Sequence, residues 1–187
     1  MNPSMKRIVL TRGLASGAIL AGLTAITLPL CMNGTIDFAY SQVIGYTAMV
    51  LAFLLVFFGI RTYRQEVGGG TITFGKAFQV GILITLITCA FYVVAWQIVY
   101  WGFWPDFLDQ LQAFQLAKMR AAGESAETIA AMQANMATFA RLYRNPLFNV
   151  AVTFLEVFPV GLVVTLVSAL ILRRKPASGV PVAAAAA

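Results

Sequence analysis

The residue with most chemical potential is Glu156, in the stretch Thr153-Phe-Leu-Glu156-Val-Phe-Pro159-Val-Gly161. It is the single ionisable side chain within the apolar run that follows Asn145. Counted inward from Asn145 at the α-helical rise, it lies roughly 15 Å along the helix. That is close to mid-bilayer if the run spans a membrane. A charged, unpaired carboxylate at that depth costs several kcal/mol, so it must carry a proton or find a partner inside a bundle. Pro159 removes a backbone donor and frees a carbonyl about one turn earlier, which can open a polar pocket beside the acid. Gln97 is the candidate partner at similar depth, with Tyr92, Thr24 and Thr27 as further contributors. Two readings follow: a proton or substrate site, and a protonated Glu that bonds one helix to another.

The remaining chemical groups are sparse. The chain has no His, which removes the commonest proton shuttle and a favoured transition-metal ligand. Cys31 and Cys89 lack the spacing of a metal or redox pair. Asp106 and Asp109 read as charges at a helix start, with no metal-ligand set around them. No nucleophile has an obvious base, and no second intramembrane carboxylate faces Glu156. The expectation is therefore no catalytic residue, no metal, no cofactor and no enzymatic activity. Gly70-Thr-Ile-Thr-Phe-Gly75-Lys76-Ala77 fits the pattern GxxxxGK, but Ala77 stands where a phosphate-binding loop needs Ser or Thr for magnesium. A preceding strand is also missing, so these glycines read as a turn.

The elements that must position Glu156 are set by composition. Of 187 residues, 60% are apolar and only 11% charged, whereas soluble domains are about one quarter charged. The intervals Gly13 to Ile36, Phe38 to Ile60 and Ala77 to Pro105 contain no Asp, Glu, Lys or Arg. Each exceeds the ~20 residues that carry a helix across a bilayer. The predicted fold is an all-α polytopic membrane protein with four transmembrane helices, at about 8–30, 43–63, 75–104 and 147–172. The first is expected to be an uncleaved span, since its apolar run is longer than a signal peptide's and lacks a small-x-small cleavage pattern.

Between the third and fourth spans, residues 105–145 predict an extracytoplasmic amphipathic helical hairpin. Phe107, Leu108, Leu111 and Phe114 recur at helical spacing, as do Ile129, Met132, Met136, Phe139 and Tyr143. Gly123 fits a helix stop and Ser125 an N-cap. The apolar faces must pack on each other, on the bilayer surface or on a protein partner. Residues 176–187 are an Ala-rich tail, expected to be disordered.

Charge sets the orientation. Lys6, Arg7, Arg12, Arg61, Arg64, Lys76, Arg173, Arg174 and Lys175 fall on one side with Glu66 as the only acid. The other side mixes Lys118, Arg120, Arg141 and Arg144 with Asp37, Asp106, Asp109, Glu124 and Glu127. The basic side is expected to be cytoplasmic, and with it both termini, in a bacterial inner membrane. Arg61, Arg64, Lys76, Arg173, Arg174 and Lys175 are the topology anchors. The net charge of +6 sits at the ends of apolar runs, where it meets lipid headgroups, and forms no nucleic-acid footprint. Gly13 and Gly17 form a GxxxG that serves packing within the chain or the seam of a homo-oligomer.

Phe58-Gly-Ile-Arg61-Thr-Tyr-Arg64, Gly68-Gly-Gly-Thr-Ile-Thr-Phe-Gly75-Lys-Ala-Phe and Gly81 resemble the bacterial membrane-protein family called domain of unknown function 4199. Trp104-Pro-Asp106-Phe, Tyr143-Arg-Asn-Pro146 and Phe158-Pro-Val-Gly161 resemble its later segments. The resemblance implies a small four-span protein with a helical insertion before the last span, and carries no activity or substrate. On the residues alone, the leading expectation is a non-enzymatic bundle whose hairpin serves assembly or partner contact. The competing one is a small transporter or channel component that uses Glu156 and the Pro159 break.

Overall fold

The computed structural model describes residues 2–33, 35–36 and 38–174. The side chain of Cys31, the whole of Asp37 and Lys175, and the 176–187 tail lie outside the described residues. The chain is all-helical: α1 (Pro3–Met32), α2 (Phe38–Glu66), α3 (Phe74–Ile98), α4 (Phe107–Ala121), α5 (Ala126–Tyr143) and α6 (Pro146–Leu172). Four of these, α1, α2, α3 and α6, are long and apolar enough to cross a membrane. Their outward faces carry Val43, Val94, Leu155 and Ile171, each more than half exposed. Lipid is the solvent that such a surface requires, and the protein is a membrane protein.

The bundle core is built from Val9 and Leu20 of α1, Phe53, Val56 and Ile60 of α2, Val80 and Ile84 of α3, and Val157 of α6. Because lipid gives no hydrophobic drive for apolar helices to associate, close approach and buried hydroxyls do much of the joining. A Cβ at Gly13 would stand 2.7 Å from Ile87, and one at Gly17 2.7 Å from Phe91. The GxxxG is thus spent on contact between α1 and α3 within the chain. Ser16 Oγ donates to the Ala52 carbonyl at 2.8 Å, tying α1 to α2. Thr88 Oγ1 donates to the Gly13 carbonyl at 3.3 Å, and the Thr85 and Thr165 hydroxyls share a hydrogen bond of 2.8 Å between α3 and α6.

The glycine-rich connection between α2 and α3 is a turn, with Gly69 and Gly70 at φ +57° and +87°, a region where a side chain is strained. Ile72 and Arg174 exchange backbone hydrogen bonds of 3.0 and 2.9 Å there. Arg64 Nη1 donates to the Leu172 carbonyl at 3.2 Å, so this cation caps the end of α6. Lys76 Nζ donates to Gln79 Oε1 at 3.0 Å and stands 5.8 Å from the centre of the Tyr63 ring. Thr73 caps α3 by accepting from the Lys76 amide at 3.3 Å.

At the other end, the third helix does not run regularly to Trp104. From Val99 to Phe103 it widens into a π-helical turn, closed by the Trp104 amide on the Val99 carbonyl at 2.9 Å. This turn puts Tyr100 at 3% exposure, against Trp101 and Tyr143 at ring-centre distances of 5.0 and 5.3 Å. Gly123, at φ +75°, ends α4, and Ser125 Oγ accepts the Thr128 amide at 3.1 Å to start α5. Asp106 occupies the position before α4 without a side-chain capping bond.

Candidate functional site

Residues from all six helices line a partly open cavity of about 350 Å³. Its floor lies inside the bundle, where α1 contributes Leu20, Thr24 and Thr27, α2 contributes Gly45, Tyr46 and Met49, and α3 contributes Tyr92 and Trp96. Its roof is the hairpin, through Phe107, Leu108 and Leu111 of α4 with Phe139 and Tyr143 of α5. On the α6 side stand Val152 and Glu156. The amphipathic hairpin thus turns part of its apolar face onto the cavity.

The sequence-predicted group is partly assembled. Glu156, Tyr92, Thr24 and Thr27 line the same cavity. The Glu156 side chain is accessible within it and makes no hydrogen bond or ion pair among the described residues. Thr24 and Thr27 donate their hydroxyls to the Leu20 and Leu23 carbonyls one turn back, at 3.0 and 2.8 Å, leaving their oxygens as acceptors only.

Gln97 is elsewhere. Its Nε2 donates to Asn149 Oδ1 at 2.7 Å, and its Oε1 accepts from Trp101 Nε1 at 3.0 Å. The expected pairing with Glu156 is replaced by a pairing with Asn149, two turns nearer the hairpin on α6. Counting along each helix sets Gln97 level with the acid; the packing of α3 on α6, with Thr85 against Thr165 and Gln97 against Asn149, sets it two turns nearer the hairpin. Pro159 is exposed on α6 and does not line the cavity, and α6 stays helical through it. It shapes no wall of this pocket.

Sequence reasoning missed Asn149 and Tyr143 as polar elements. Asn149 is fully buried; its Oδ1 also accepts from Thr153 Oγ1 at 3.3 Å, while its Nδ2 has no partner among the described residues. Tyr143 joins the two spanning helices to the roof. Its hydroxyl accepts from Trp96 Nε1 at 2.8 Å and lies 3.4 Å from Thr153 Oγ1. Burial pushes the Tyr143 phenol above its ordinary value; the bonds with Thr153 and Trp96 act against this, and the nearby Glu156 charge adds to it. The signal that could have found Asn149 was its spacing from Thr153 and Glu156, which shares one helical face.

The family described as protein of unknown function (DUF4199) matches residues 11–174. The chain belongs to that family. No curated protein and no solved structure matches it. The DUF4199 match takes in every wall of the cavity, the hairpin and the glycine-rich turn.

Two smaller cavities adjoin the site of this DUF4199 protein. One, of about 210 Å³, lies between α4 and α5 and shares Leu108, Leu111 and Phe139 with the main cavity while adding Gln112 and Gln115. The other, also of about 210 Å³, lies between α1 and α3 and shares Thr24, Leu28, Tyr92 and Trp96.

Proposed function

We propose that this DUF4199 protein is a non-enzymatic membrane component whose roofed cavity binds a small guest, as a transporter or channel subunit would. The observation that carries the reading is an accessible carboxyl, Glu156, with no protein partner among the described residues, on the wall of a cavity that an amphipathic hairpin roofs. A Glu that served as interhelical glue would spend its carboxyl on a neighbouring helix; here Asn149, Gln97, Thr85 and Thr165 carry the bonds between α3 and α6. The cationic end of the bundle is cytoplasmic in this reading, with both termini there, the hairpin outside, and a bacterial inner membrane as the host bilayer.

A role of the hairpin in partner contact draws on a different observation: Met132 and Leu142 of α5 are 37% and 46% exposed, away from the cavity. It would use side chains of α5 that do not line the cavity.

Accessibility tests the binding reading. In a protein keeping Trp96 with Trp101→Phe and Trp104→Phe, aqueous acrylamide added to vesicles should quench Trp96. Gly45 lines the cavity, and a Cβ there meets nothing within 4 Å, so Gly45→Phe should fill the space and cut the quenching severalfold. Equal quenching in both proteins would count against a chamber that admits guests.

A further inference from the structure

The chemistry of the walls narrows the guest. Besides Glu156, no Asp, Glu, Lys or Arg among the described residues lines the cavity. The other titratable groups facing it are phenols: Tyr46 from α2, Tyr92 from α3 and Tyr143 from α5, while α1 and α4 face it with neutral side chains. Trp96, Phe107 and Phe139 complete an aromatic lining. An aromatic ring attracts a cation through its negative face, and this attraction strengthens when water is excluded. A carboxylate without a counter-ion at this depth costs several kcal/mol, and an arriving cation removes that cost. An anion would meet the opposite: the negative faces of the rings, the Glu156 charge and no cationic side chain.

We infer that the cavity takes a lipophilic organic cation, of the ammonium or phosphonium class, with its charge on Glu156 and its apolar groups on the aromatic lining. This rests on the reading of the cavity as a binding chamber. Cation and proton compete for the same carboxylate, so each guest that enters an uncharged site releases one proton. The groove between α1 and α3 offers such an amphiphile entry from the lipid side, behind Tyr92 and Trp96.

The test is equilibrium binding to the full chain in detergent, with three probes of related shape: tetraphenylphosphonium, tetraphenylborate and neutral triphenylphosphine oxide. Gly45→Phe protein provides the background of partition into micelles. The expected result is site-specific binding of tetraphenylphosphonium alone, tightening by up to about tenfold per pH unit while Glu156 is protonated. Glu156→Gln should weaken it by about tenfold or more and flatten the pH dependence. If triphenylphosphine oxide or tetraphenylborate binds as well as the phosphonium, or Glu156→Gln changes nothing, the cation class is overturned while the chamber stands. If no probe exceeds the Gly45→Phe background and acrylamide also fails to reach Trp96, the chamber itself is overturned.

Discussion

The Trp96 indole donates to the Tyr143 hydroxyl at 2.8 Å, which fastens the third span to the last turn of the hairpin at the rim of the cavity. The two residues stand 47 positions apart in the chain, so the bond helps to set where the roof sits. Tyr143→Phe leaves the indole N–H without its acceptor and should destabilise by about 1–3 kcal/mol. Trp96→Phe combined with Tyr143→Phe should recover part of that loss, a coupling that a double-mutant cycle of unfolding free energies in detergent would measure. Strictly additive losses would mean that the bond contributes nothing.

Tyr143 also predicts a pH dependence. Its pKa is raised in the folded protein above the ordinary value of 10.0, so the neutral phenol is the form that folding favours. The stability it contributes is complete below pH 10 and is lost as pH rises through the folded-state pKa. Melting temperatures measured across alkaline pH should fall less steeply in Tyr143→Phe than in the parent protein.

Asn149 should be structural. Removing its side chain strands Gln97 Nε2, which now donates to Asn149 Oδ1 at 2.7 Å. Asn149→Ala is expected to cost about 1–3 kcal/mol through an unsatisfied donor in a partly buried site, with the loss read from thermal unfolding in detergent. Stability equal to that of the parent would show that Gln97 finds another acceptor without penalty.

The glycines of α1 divide sharply. Gly17→Leu must displace Phe91, which would lie 2.7 Å from a new Cβ, whereas Gly22 has nothing within 4 Å. Overpacking typically costs about 1–3 kcal/mol, so Gly17→Leu should lower the melting temperature while Gly22→Ala leaves it unchanged or slightly raised. The two substitutions can be compared by unfolding monitored with Trp fluorescence.

The long helices were legible because lipid demands runs without charge, and those runs are visible in the sequence without any knowledge of packing. The caps at Thr73 and Ser125 were legible because capping is local, decided within three residues. The partner of Gln97 was not. Counting runs along one helix, whereas the neighbour a side chain meets depends on how two helices are set against each other: Thr85 meets Thr165 and Gln97 meets Asn149, two turns from Glu156. Ser16, Thr85, Thr88 and Thr165 were passed over for the same reason: a hydroxyl in an apolar run could bond its own helix or another. The π-helical turn at Val99–Phe103 has no periodic signature in a segment that is aromatic on every side.

Orientation has a simple check. Ser125, exposed at the tip of the hairpin, should become labelled from outside the cell as Ser125→Cys in a background of Cys31→Ser and Cys89→Ser. Labelling only from the cytoplasmic side would invert the topology that the cations suggest.

The central claim is that Glu156 stands unpaired in a cavity reached from the membrane or from beneath the hairpin. Dicyclohexylcarbodiimide, which modifies carboxylic acids in apolar surroundings, tests it most directly in vesicles, with the product located by peptide mass. The expected result is modification at Glu156 that slows severalfold in Gly45→Phe; a Glu156 that stays unmodified, or reacts equally fast with the cavity filled, would contradict it.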